Sequence, residues 1–179
     1  MALWLSPAGG AIIALVGVAL TALVSAYLGG RNRRWQLVDA RRDTLAAKGE
    51  IVYVLIEKWR NSQTSWFLQC RLVMNGDIDY NKFLDIFLES NTGVDLQVER
   101  IEFLLTVFFN ATFLEWQKCI QFAHIASRIE NAFKLNYKVG IHSGQEQLPE
   151  LQQAMLELNS QINVTLDHLT KSVRAKVAI

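Results

Sequence analysis

The first thirty residues, Met1 to Gly30, carry no charged side chain, and this run restricts the fold more than any other feature. Within it Ala11 to Leu28 reads AIIALVGVALTALVSAYL, bordered by Gly9-Gly10 and Gly29-Gly30. A helix from Pro7 to Gly30 is about 24 residues or roughly 36 Å long, against a hydrocarbon core of about 30 Å. The polar members Thr21, Ser25 and Tyr27 are mild, because hydroxyls can bond back to the helix carbonyls. The expectation is a single membrane-spanning helix, with residues 1–30 as anchor and residues 31–179 as a helical bundle on one side of the bilayer.

A cleaved signal peptide would use the same apolar run, and Val24-Ser25-Ala26 offers small residues at its end. Such a peptide carries its charge before the apolar core, where this chain has no Lys or Arg. The basic residues Arg31, Arg33, Arg34, Arg41 and Arg42 crowd the other side. Juxtamembrane Lys and Arg stay in the cytoplasm, which gives an outside N-terminus and a cytoplasmic bulk. Trp4 and Trp35 flank the span and Tyr27 lies near one end, as interfacial aromatics do. The arginines set topology and meet anionic headgroups, so the lipid bilayer is the first partner expected. Asp39 and Asp43 dilute the cluster beyond its first few residues.

One side of the span is built of small residues. Gly10, Ala14, Gly17, Thr21 and Ser25 recur at spacings of 4, 3, 4 and 4. Small residues in register let helix backbones approach within lipid, so a homo-oligomer is expected through this face. Ile13, Leu20, Val24 and Leu28 then face lipid or neighbouring chains. One helix per subunit cannot enclose a channel, so any pore needs a closed ring of copies. With no charge in the span, such a pore is a narrow hydrophobic constriction rather than a wide wet lumen.

Beyond the anchor the pattern is helical throughout, and 179 residues suit one domain with an appendage. Val38, Leu45, Val52, Leu55, Trp59 and Trp66 recur at steps near 3.5, opposite Asp43, Glu50, Glu57, Lys58 and Asn61, which marks an amphipathic helix. Gly49 inside it is a candidate bend or close-packing point. Asn75-Gly76 ends that helix, and Asp77 or Asp79 can cap a short one over about Tyr80 to Ser90 with Phe83, Leu84, Phe87 and Leu88 on its apolar face. Asn91-Thr92-Gly93 breaks it. A long helix is then expected over Leu96 to Tyr137, its wide face running through Ile101, Leu105, Phe108, Thr112, Trp116, Cys119, Ala126, Ile129 and Phe133. Pro149 opens the last helix, whose stripe is Leu151, Met155, Leu158, Ile162, Leu166, Leu169 and Val173. No run alternates with period two for long, so the fold class expected is an all-α up-down bundle.

Eighteen basic against 17 acidic side chains leave a net charge of +1, which argues against nucleic-acid binding by bulk electrostatics. The two cysteines, Cys70 and Cys119, fall near apolar helix faces and read as small core residues in a reducing compartment. Cys70, Cys119, His124, His142 and His168 are scattered singly, so no zinc site is expected. Asp77-x-Asp79-x-Asn81 opens like a calcium loop, but Lys82 and Leu88 stand where Gly and Glu are needed. Phosphate-cradling glycine motifs are missing, and no cofactor is expected.

His124 and Arg128, one turn apart with Glu130 beyond, form the grouping most suggestive of catalysis. All-α nucleases of the HEPN family use an Arg followed four to six residues later by a His, set in a dimer cleft. This chain resembles them in its helical architecture plus an anchor, while His124 precedes Arg128 in the reverse order. By that resemblance Arg128 would clamp phosphate and His124 would act as the acid–base group of a divergent, membrane-tethered HEPN-like ribonuclease.

A second resemblance covers about Ala8 to Trp59. The glycine-bracketed anchor, the arginines and Asp39-Ala40-Arg41-Arg42-Asp43-Thr44-Leu45 look like a diffuse class of bacterial single-pass membrane proteins with cytoplasmic helical bundles. Some small anchored proteins of this build act as membrane effectors in anti-phage defence. That resemblance implies a bacterial inner-membrane location. It also implies a non-enzymatic role, in which an oligomer scaffolds a cytoplasmic protein partner or permeabilises the membrane.

Overall fold

Turn chemistry sets the helix ends in the computed structural model. It describes the backbone of residues 7–91 and 98–178, and the side chains of residues 20–29, 35–85 and 98–178. Among them are five helices and no strand: α1 (Pro7–Asn75), α2 (Tyr80–Asn91), α3 (Val98–Phe108), α4 (Asn110–Lys138) and α5 (Leu148–Val177). The chain divides into two units, Met1–Thr44 and Leu45–Ile179. The expected break at Asn91-Thr92-Gly93 falls largely outside the described residues.

Gly76 stops α1 in the left-handed region at φ +81°. Its N–H donates to the Val73 carbonyl and that of Asp77 to the Leu72 carbonyl, both at 2.9 Å, so orphan carbonyls of the last turn are satisfied. Gly140, at φ +89°, ends α4 in the same way, with Ile141 N–H donating back to Asn136. Asp79 caps α2 by accepting from the Lys82 N–H at 2.8 Å. Pro149 lies in the first turn of α5, where its missing N–H costs nothing.

In the second unit α1, α4 and α5 enclose the core. Gly49 lies against Phe109, Trp59 against Trp116, and Met74 and Phe133 meet at Gly144, so α1 and α4 run in the same direction. Gly49 also meets Val173, and Arg60 donates to Asn163 at 2.7 Å, so α5 runs against them. The α4–α5 pair is pinned by Cys119 and Thr165 at 3.3 Å and by Thr112 and Ser172 at 3.4 Å. The α5 stripe from Leu151 to Leu169 is buried as its spacing demands, and Thr165 joins it.

The long helix expected over Leu96 to Tyr137 is two helices. Phe109, at φ −137° and ψ 48°, leaves helical geometry between α3 and α4. Its ring is buried within reach of Gly49. Lys176 from α5 donates to the Phe108 carbonyl at 2.5 Å, and its ammonium stands 5.7 Å from the Phe109 ring centroid. A buried aromatic and a cation on an orphan carbonyl thus outweigh the helical propensity of an unbroken apolar stripe.

Gly49 is the close-packing point. A Cβ there would stand 2.5 Å from Val173 Cγ2, on a side chain stiff at χ1. Gly49→Ala gains about 1 kcal/mol of helix propensity, and overpacking by a methyl typically costs about 1–3 kcal/mol. We expect a net fall in the denaturation midpoint, and expect Gly49→Ala/Val173→Ala to lose less than the sum of the two single changes. Additive losses would show that the approach is relieved elsewhere. Gly144→Ala, whose Cβ would come within 2.7 Å of Met74 Cβ and 2.9 Å of Phe133, should also destabilise by about 1–3 kcal/mol on thermal melting.

Candidate functional site

The first unit presents a surface that a water-soluble helix does not normally leave bare. From Leu20 to Gly29 every residue is exposed. Leu20, Leu23, Val24, Tyr27 and Leu28 are 54–71% accessible. At about 100° per residue these five fall within roughly 140° of arc, and Thr21, Ala22, Ser25, Ala26 and Gly29 occupy the rest. Bulky and small residues are therefore segregated to opposite sides. A Cβ added at Gly29 would meet nothing within 4 Å, so the small side is open. Contiguous apolar exposure of this kind marks a surface meant for lipid or for another chain.

Thr21 and Ser25 lie on that small side as their spacing requires. Gly10, Ala14 and Gly17, the rest of the expected packing face, lie where side chains are outside the described set, as do Arg31, Arg33 and Arg34. Arg41 is exposed, and Arg42 is partly covered with its guanidinium 3.6 Å from Asp39. Among the described residues no helix is long and apolar enough to cross a membrane. Of the run Ala11–Leu28, side chains are described only from Leu20 onward.

His124 and Arg128 are exposed on α4. Glu130, half-buried, accepts a hydrogen bond from Tyr80 Oη at 3.0 Å. The Tyr80 ring packs on Phe83, Phe133 and Tyr137, and the Tyr137 hydroxyl accepts from the Tyr80 N–H at 3.3 Å. This pins the start of α2 to the end of α4. Sequence spacing gave no sign of the cluster, because Tyr80 and Glu130 meet only through the fold. Elsewhere Lys118 and Gln161 hold Glu115 below the usual carboxylate range, joining α4 to α5. Among the described residues no group of three or more His, Cys, Asp or Glu could hold a metal ion.

Both thiols are buried and free. Burial pushes Cys119 up from 9.0 to about 11. Burial and the neighbouring Glu130 carboxylate push Cys70 up further, and Tyr80 is raised by the same two causes. Groups raised in the folded state favour folding while they stay protonated. Their contribution is complete below the unfolded-state values and is lost as pH rises. The denaturant midpoint should therefore fall from pH 9 towards about 11, and Cys119→Ala should flatten that fall. An unchanged slope would remove Cys119 from the account. At pH 7 a maleimide should label neither thiol until the chain is unfolded. Comparison with known protein families, with characterised proteins and with solved structures finds no match to the chain.

Proposed function

We propose that the chain is a non-enzymatic, single-pass protein of a bacterial inner membrane, with its N-terminus outside and its bundle in the cytoplasm. The anchors associate through the small-residue face of Gly10, Ala14, Gly17, Thr21 and Ser25. The oligomer either scaffolds a cytoplasmic protein partner or, on activation, perturbs the membrane, in the manner of anchored effectors of anti-phage defence. The observation that carries this reading is the wholly exposed, uncharged helix surface from Leu20 to Gly29. Exposed Leu and Val side chains cost free energy in water and gain it in hydrocarbon, at about 25 cal/mol per Å² of apolar surface. The arginines that follow suit an anionic cytoplasmic leaflet. In a ring of copies the Arg31, Arg33 and Arg34 side would form a positive rim favouring anions.

The test is made on the full chain in membranes. It should stay in the pellet after alkaline carbonate extraction, and in detergent its light-scattering mass should exceed the 20.3 kDa of one chain. Gly17→Leu should obstruct helix approach, lowering the oligomer mass together with any growth defect or depolarisation on expression. A carbonate-soluble chain overturns the anchor. A monodisperse monomer at micromolar concentration overturns the assembly. RNA cleavage lost in Arg128→Ala would replace the whole reading with the nuclease.

A further inference from the structure

In an unbroken helix the Thr112 N–H would donate to the Phe108 carbonyl, four residues back. Here it donates to the Phe109 carbonyl at 2.8 Å, and the Phe108 carbonyl accepts from Lys176 of α5 at 2.5 Å. Up to that point the α3 pattern is intact, since the Phe109 N–H still donates to the Leu105 carbonyl at 2.7 Å. The departure is centred on Phe109, at φ −137° and ψ 48°. Residues 106–113 contain neither Gly nor Pro, so no local breaker imposes it. Two residues of α5, one turn apart, hold the two sides of the joint. Lys176 takes the Phe108 carbonyl, and Ser172 Oγ stands 3.4 Å from Thr112 Oγ1.

The bend folds α3 back along α1. Arg100 precedes Phe109 by nine residues. A straight continuation of α4 would carry it about 13 Å past the level of Gly49, against which the Phe109 ring lies. Instead Arg100 lines an apolar groove of about 420 Å³ with Ala47, Ile51 and Leu55 of α1, which bracket Gly49 in sequence. Ile101, Leu104 and Leu105 are buried in that position. We infer that the α3–α4 joint is a two-state hinge latched by the last turns of α5. In the closed state Lys176 occupies the Phe108 carbonyl and α3 lies on α1. In the open state Lys176 leaves, Phe109 returns to helical dihedrals and the Thr112 N–H recovers the Phe108 carbonyl. That carbonyl is paired in both states. α3 and α4 then form one helix, and the groove along residues 47–55 loses its α3 wall. Burial of Ile101, Leu104 and Leu105 makes the closed state the major one, and the latch sets how far the open state is populated. The hinge belongs to the bundle alone and does not depend on the anchor.

Spin-label distances on the full chain test the hinge, with labels at Glu99→Cys in α3 and Gln121→Cys in α4, both exposed positions. The buried Cys70 and Cys119 stay unlabelled. In one unbroken helix the two labelled positions lie about 33 Å apart, and across the bend they lie closer. Lys176→Met keeps the apolar stem and removes the donor. It should raise the share of the long distance several-fold over the labelled parent. Asn110→Pro, at the first position of α4, keeps Phe109 out of helical dihedrals. Added to Lys176→Met, it should return the distribution to that of the parent. Lys171→Met, which loses only its surface pair with Asp167, should leave the distances unchanged. An unchanged distribution in Lys176→Met, or a broad one without the long distance, overturns the hinge. An equal rise in Lys171→Met, or no return with Asn110→Pro, overturns it as well.

Discussion

Trp59 and Trp116 meet edge to face, their ring centroids 4.8 Å apart and their planes at 64°, and both are buried. An indole buries some 150–250 Å², so the pair represents gross burial on the order of 10 kcal/mol before ordering entropy is counted. The pair fixes α1 against α4 and requires α5 to close the remaining side. The polar links of α5 sit beside it: Cys119 to Thr165, Gln161 to Glu115, and Arg60 to Asn163. These bonds add direction to a contact that apolar area alone would leave free to slide.

The ends of the bundle are held by different means. At one end Gly49 admits Val173 and Phe109, and Lys176 ties the α3–α4 joint by its carbonyl and its ring. At the other, Gly144 N–H donates to the Met74 carbonyl at 2.9 Å, so the last loop docks on the last turn of α1. The aromatic cluster around Tyr80 then seats α2 over the same region. Each end therefore depends on a glycine where a Cβ would collide and on one polar side chain that reaches across elements.

The helical architecture was legible because periodicity and turn chemistry are local. The stop at Asn75-Gly76, the cap at Asp79, Pro149 in the first turn of α5 and the apolar stripes all follow from neighbouring residues. The break at Phe109 was not legible, since the sequence there continues an apolar stripe without Gly or Pro. The groups that meet at the break are distant in sequence: Phe109 is buried beside Gly49, and a lysine 68 positions away bonds to the Phe108 carbonyl. The Tyr80–Glu130 contact was hidden for the same reason. Of the candidate surface, the segregation of large and small residues could be read from spacing.

The order of synthesis gives α1 a period of exposure. Its tryptophan face leaves the ribosome long before α5, since Arg60 and its partner Asn163 are 103 residues apart. At roughly 5–20 residues per second that separation corresponds to some 5–20 seconds during which α4 alone of the two covering helices can meet the seam, and for the first part of it neither can. Contacts of such long range also slow folding, because loop closure must precede them. A nascent chain of this design depends on whatever holds its first helix in the interval, and on keeping Trp59 and Trp66 from other apolar surfaces. The bundle is completed only when the last turns of α5 set Val173 against Gly49 and Lys176 on the α3–α4 joint.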